Sequence, residues 1–258
     1  MSSFIDLPKN TEIEKKLFNL FRDFDESLIW SCLQGVMGEI ITSNEHDSAI
    51  AYLGDFAYFA GKAEFSVLDK FNKICSRDEM ILVPLSIDWE QAISEFFDNT
   101  IKSIRYAIKK EKADFELNKL TDIVSSLDKE FIIKQIDNSI YNKCLENDWS
   151  ADFVSNYADF EQFSEIGLGY VILNGDKLVS GASSYSSFNG GIEVEITTHP
   201  QYRKLGLATV CAAKLILECC KRNLYPSWDA RNMTSVRIAE KLGYRFDKEY
   251  TVYITKLR

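Results

Sequence analysis

The sequence predicts an α/β (α+β) protein, with a mixed, mostly antiparallel sheet flanked by helices and an additional N-terminal α/β domain. Three observations carry that expectation. Short apolar runs bounded by glycine alternate with helix-period segments along the chain. In the second half, Asn174-Gly175-Asp176 and Asn189-Gly190-Gly191 stand between apolar runs, where tight hairpin turns are expected. The stretch His199 to Asn223, HPQYRKLGLATVCAAKLILECCKRN, opens on a proline turn, passes a glycine, and continues into roughly four turns of helical pattern.

Taken in order, residues 10–24 place Ile13, Leu17, Leu20 and Phe21 at helical spacing, with Thr11 and Glu14 as a capping pair. LIWSCLQGVMGEIIT and SAIAYLGDFAYFAG read as strand material broken by Gly35, Gly38, Gly54 and Gly61. EFSVLDKFNKIC reads as helix, MILVPL as a short buried strand, and DWEQAISEFFDN as helix beginning at Asp88. The first unit ends near residues 110–125, where the charged run KKEKADFELNK reads as a connector or an exposed helix and sets a boundary between domains 1–120 and 121–258. Beyond it come a strand (KEFIIKQID), a helix (NSIYNKCLEN), a helical stretch around 151–163, and strands at 168–173, 177–186 and 191–198. The helix from about Leu207 follows, then YPSWDA as a short strand. A helix from Met233 to Leu242 is capped by Asn232 and stopped by Gly243, and YRFD and EYTVYITKL form a closing strand pair.

Bulk properties narrow the function. With 258 residues and 46% hydrophobic content the chain can bury one large core or two ordinary ones. No stretch approaches a membrane span and the start lacks the apolar core of a secretory signal, so a cytoplasmic location is expected. The net charge of −9 is uneven: residues 1–125 carry 14 basic against 22 acidic residues, residues 126–258 carry 16 against 17. That argues against nucleic acid as a partner, because duplex binding needs a clustered basic face, and leaves the second half suited to an anionic ligand. The six cysteines show no CxxC spacing and there are only two histidines, His46 and His199, so the thiols read as reduced packing residues and no metal site is expected.

Basic residues and a glycine at the mouth of a helix have a physical use. The first backbone N–H groups of a helix lack intrahelical partners and the macrodipole adds positive charge there, so such a mouth binds anions. In Arg203-Lys204-Leu205-Gly206-Leu207-Ala208, Gly206 lets a phosphate approach the backbone and Ala208 leaves room beside it. Preceding it, IEVEITT puts Glu193, Glu195 and Thr197 on one face and Val194, Ile196 and Thr198 on the other. Two carboxylates cannot be buried bare, so that row faces solvent or a polar cleft.

The element order resembles that of the GNAT superfamily of N-acetyltransferases. The superfamily signature, Gln or Arg, two residues, Gly, one residue, then Gly or Ala, matches Arg203 to Ala208 with Pro200 before it; Asn232 opening the next helix and KLGY, Lys241 to Tyr244, closing it agree as well. The run from Gly190 to Asn232 is similar to the subgroup that includes the zwittermicin A resistance acetyltransferase. The resemblance covers residues 125–258 and implies transfer of acetyl from acetyl-CoA to a primary amine of a small molecule. It places the pyrophosphate on Arg203, Lys204, Leu205, Gly206, Leu207 and Ala208, and the pantetheine arm along Thr197, Thr198 and Asn232. Lys214, Lys221 and Arg222 read as the solvated face of the helix.

Acetyl transfer to an amine needs a neutral nucleophile, a donor to the developing charge, and close placement of the reactants, with no covalent intermediate. The resemblance implies a glutamate on the strand as general base, Glu195 before Glu193, with His199 a weaker candidate. The tyrosine that relatives place before K-x-G-aromatic is Ala239 here, which leaves Tyr253 or Tyr225 as substitute general acid. A module that binds CoA without catalysis is the rival reading. The N-terminal domain has no motif; a degenerate copy of the same fold and a substrate lid both suit it. The oligomeric state is open, a homodimer included.

Overall fold

Paired hydrophobic faces decide the architecture. The computed structural model describes residues 11–111 and 114–256. Residues 1–10, residues 112–113 of the charged run, Leu257 and Arg258 lie outside them. The elements are α1 (Glu12–Phe21), α2 (Ser27–Gln34), β1 (Glu39–Thr42), β2 (Ser48–Leu53), β3 (Phe56–Gly61), α3 (Phe65–Ile74), β4 (Glu79–Pro84), α4 (Ile87–Phe96), β5 (Ile101–Ile108) and α5 (Leu117–Ser125). Then come β6 (Phe131–Gln135), α6 (Asn138–Leu145), α7 (Asp148–Ala151), α8 (Phe160–Ile166), β7 (Gly169–Asn174), β8 (Lys177–Phe188), β9 (Gly191–Thr198), α9 (Leu207–Arg222), β10 (Tyr225–Ser227), β11 (Asp229–Ala230), α10 (Met233–Leu242) and β12 (Phe246–Lys256).

The strands form two sheets, β1-β2-β3-β4-β12-β5-β11 and β10-β9-β8-β7-β6. Most neighbours are antiparallel, with one parallel pair in each sheet, β3 with β4 and β9 with β10, each joined by a crossover helix, α3 or α9. A strand hairpin, a crossover helix, a strand and a further helix therefore occur in the same order twice. The inner faces of the two sheets share one core, in which Phe56, Tyr58 and Val252 meet Val171, Leu173 and Tyr185 around α2 and α6. A second core lies between the second sheet and α5, α9 and α10, and a third between the first sheet and α3 and α4.

Several elements differ from expectation. LIWSCLQ forms the helix α2, whose Ser27 to Cys32 are all buried; a helix apolar all round shows no periodicity, so its run is indistinguishable from strand in the sequence. The stretch around 151–163 holds two short helices, α7 and α8, rather than one. The closing strand pair is one strand, β12, and it inserts between β4 and β5 of the other half, with Tyr253 opposite Leu82 and Lys102. The strand β5 carries no clear alternation and is not expected from the sequence; its pattern of exposure reflects cover from β11 and β12 on its two edges. Capping at Thr11 and Glu14, at Asn232 and at Gly243 agrees with the sequence reading.

Candidate active site

A fork in the second sheet dominates the site. β10 pairs with β9 only at Tyr225–Gly191, Pro226–Ile192 and Ser227–Glu193, then turns away to become β11 against β5. Trp228 drives the turn: its ring is buried in the α9 core and its indole N–H donates to Ser235 Oγ at 3.1 Å. Past Glu193, β9 has no strand partner on its β10 edge.

The end of β9 leads into an open anion-shaped turn. Arg203 Nε donates to the Thr198 carbonyl at 3.3 Å, and Ser180 Oγ lies 2.7 Å from Thr198 Oγ1, so the turn is tied to the strand. Lys204 and Gly206 both have positive φ, 69° and 78°, which turns successive N–H groups outward as a nest. Gly206 is the N-cap of α9, no side chain caps that end, and nothing lies within 4 Å of where its Cβ would be. Arg203, Lys204 and Leu205 are exposed, Ala208 is half-buried, and Leu207 anchors the helix in its core. Asn232 caps α10 by accepting from Ser235 N at 3.0 Å.

On β9 the alternation is regular, because the bulge falls on β8 at Tyr185, between Ser184 and Ser186. Ile192 and Val194 enter the α9 core, so Glu193, Glu195 and Thr197 face the first sheet. Glu193 is 5% exposed but not bare: Ser27 Oγ donates to its Oε2 and Lys110 Nζ lies 3.9 Å from it. Lys110, itself buried, also stands 3.9 Å from Glu26 and donates to the Trp228 carbonyl at 2.9 Å. Burial alone would lower the Lys110 pKa, but Glu193 and Glu26 outweigh it and hold the ammonium charged. Glu26 is pushed up to about 8, chiefly by burial, with Lys110 opposing and Asp229 and Glu193 adding.

One step along, Glu195 has no ion-pair partner among the described residues. Burial pushes its carboxyl up to about 8, with Asp152 and Asp55 adding and Arg105 opposing. Beside it, Arg105 Nε donates to Asp229 Oδ1 at 2.7 Å, its guanidinium sits 4.7 Å from the Phe56 ring centroid, and Tyr250 donates to Asp229 Oδ2 at 2.9 Å. Asp55 accepts from the Tyr185 hydroxyl.

A model of the family described as GNAT acetyltransferase matches residues 18–253. The chain belongs to that family. It is 45% identical to a GCN5-related N-acetyltransferase-like protein from Streptococcus suis 89/1591, with a TM-score of 0.88 over 94% of this chain and 98% of that one. It is 33% identical over 129 residues to the uncharacterized N-acetyltransferase YdfB of Bacillus subtilis (strain 168), a match spanning 49% of each chain, so about half the length of that curated relative. A tandem GNAT protein from the clavulanic acid biosynthesis pathway superposes with a TM-score of 0.55 over 98% of this chain and 97% of that one at 9% identity, a likeness of fold alone. Both sheets, except the last three residues of β12, thus lie within the matched GNAT region.

Of the residues singled out in the sequence, the structure brings Glu193, Glu195, Thr197, Thr198 and Arg203 through Ala208 together along β9 and the mouth of α9, with Asn232 at the start of α10. It does not bring Tyr253 there. That side chain lies in the core on the far face of the first sheet, and its hydroxyl donates to Glu90 at 2.9 Å. On β12 it is Tyr250, three residues earlier, that faces the fork. Tyr225 is buried at the root of the fork, its hydroxyl 3.4 Å from the Lys109 carbonyl and pushed up to about 12 by burial. His199 is spent on its turn, where Nδ1 accepts from Gln201 N. Lys221 and Arg222 pair with Glu218 on the outer face of α9. Sequence reasoning missed Glu26, Tyr58, Arg105, Lys110, Asp229 and Tyr250; only the charged run holding Lys110 carried any signal, and it read as a connector.

No group of His, Cys, Asp and Glu among the described residues is arranged to hold a metal ion, and no described helix is long and apolar enough to cross a membrane.

Proposed function

We propose that the chain transfers an acetyl group from acetyl-CoA to a primary amine of a small molecule by direct attack, with Glu195 as general base. The single observation that carries this reading is the fork: an open strand edge runs from a partly buried, unpaired carboxylate to an uncapped helix mouth. Pyrophosphate would accept N–H bonds from the turn at Arg203 to Ala208, and pantetheine would take the free edge of β9 along Thr197 and Thr198. Asn232 would border the arm. A carboxylate with its pKa near 8 is matched to removing a proton from an attacking ammonium or amine near neutral pH.

The amine nitrogen gives its proton to Glu195 and bonds to the thioester carbon; collapse of the tetrahedral adduct breaks the C–S bond and expels the thiolate. The Arg105 guanidinium, oriented by Asp229, supplies donors near the fork, and Tyr250 holds Asp229 in place. Glu193, held by Ser27 and Lys110, is assigned the positioning of the β9 root. Residues 1–120 are read as a degenerate copy of the GNAT fold, on the repeated element order, and the zwittermicin-type subgroup remains the finer assignment on the run Gly190 to Asn232. Calorimetry with acetyl-CoA, followed by thiol release against a panel of primary amines, tests the reading. Binding with release on at least one amine is expected; binding without release on any would leave a CoA-binding module.

A further inference from the structure

A cavity of about 570 Å³ opens between the loop joining α1 to α2, the end of β4, β5 and β12. Its size suits a small organic ligand. Its inner wall is Glu26 and Lys110, the two side chains that reach the Glu193 end of the fork. Tyr58 also lines it, 1% exposed, with a hydroxyl that finds no hydrogen-bond partner among the described residues. An unsatisfied buried hydroxyl is costly in a finished core, whereas in the wall of a cavity it is free for a ligand. Asp23 and Asp247 stand exposed at the outer end.

The sign of the lining selects the ligand. Six carboxyl groups border the cavity against three lysines; Lys110 is matched by Glu193 and Glu26, Glu90 by Lys102 and Glu111 by Arg245, so the acidic groups that meet a ligand are those at the mouth, Asp23 and Asp247. An anion is disfavoured and a cation favoured. A cavity with a carboxyl group at the inner end and two carboxylates at the mouth suits a molecule with amino groups at both ends. We infer that this cavity is the acceptor site and takes a linear aliphatic di- or polyamine, one amino group directed past Glu26 to the fork and a second ammonium held by Asp23 and Asp247. The inference rests on the acetyltransferase reading for the word acceptor.

The test is calorimetry on the full chain saturated with CoA, with spermidine and butylamine as probes. Spermidine should bind at least about tenfold more tightly than butylamine. Asp23→Asn combined with Asp247→Asn should remove most of that preference, and Tyr58→Phe should weaken spermidine several-fold, with circular dichroism reporting that each variant is folded. Equal affinity for the two amines, or a preference untouched by the double variant, overturns the site. Thiol release from acetyl-CoA separates the two readings: a spermidine preference without release overturns the acetyltransferase reading and leaves a polyamine site, while release with butylamine and no preference overturns the site alone.

Discussion

Glu195 and Glu193 sit two residues apart on one face of one strand, yet their surroundings assign them different work. Glu193 is held between a hydroxyl and an ammonium, whereas Glu195 has neither among the described residues and its carboxyl is pushed up to about 8. Glu195→Gln should therefore lower kcat by roughly a hundredfold with acetyl-CoA affinity little changed, and remove the limb of kcat/KM that rises with pH toward about 8. Unchanged turnover and profile in Glu195→Gln, Glu193→Gln and the double variant would exclude both as base. The same burial has a consequence for stability. A carboxyl with a raised pKa keeps its proton in the folded chain after the unfolded chain has released it, so stability is full below the ordinary value of 4.5 and falls as pH rises to about 8. Urea unfolding across that range should show the fall, and Glu195→Gln should flatten it. Lys110→Met should cost about 3–5 kcal/mol, because it leaves Glu193 buried without its cation. Adding Glu193→Gln should recover part of that loss; no recovery would mean Lys110 stabilises through other contacts.

At the scale of elements, the mouth of α9 differs from the equivalent mouth of α3. Neither helix has a side-chain cap, but Gly206 opens α9 from a left-handed turn, while α3 begins at the extended residue Glu64, which pairs with Lys62 at 3.4 Å and adds negative charge beside that helix start. A calorimetric titration should accordingly give one acetyl-CoA per chain; two equivalent sites would refute the assignment. Gly206→Glu should reduce acetyl-CoA affinity at least about a hundredfold by charge repulsion in the turn. Because Gly206 holds φ at 78°, any side chain there costs about 1 kcal/mol in strain, so Gly206→Ala serves as the control and should retain measurable binding. Asn232→Ala removes the α10 cap at about 1 kcal/mol. A lower Tm with unchanged acetyl-CoA affinity would leave Asn232 with the cap alone.

For the molecule as a whole, β12 is the decisive strand. It fills the first sheet between β4 and β5 although it follows the second half in the chain, and the inner faces of both sheets share one core. Residues 1–120 without β12 would leave β4 and β5 with unpaired edges. The full chain should unfold in one transition, with far-UV circular dichroism and tryptophan fluorescence coincident, and the isolated segment 1–120 should fail to give a cooperative melt. Two resolved transitions would show that the halves are independent.

The strand, turn and helix from Gly191 to Arg222 and the capped helix at Asn232 were legible in the sequence. Hairpin turns, the Pro200 to Gly206 spacing, an N-cap and a glycine stop are set by backbone sterics and hydrogen bonds within a few residues. The face carried by Glu193 and Glu195 was legible for the same reason, since alternation needs only the strand itself. What faces them was not. Lys110 lies 83 residues from Glu193 in the chain, and Arg105 is 124 from Asp229. Contacts at such separations leave no local pattern, and α2, buried on every side, leaves no periodic one. Only the tertiary structure decided that β12 crosses to the first sheet, that Tyr250 rather than Tyr253 faces the fork, and that Tyr58 lines a cavity, because each depends on which distant faces pack together.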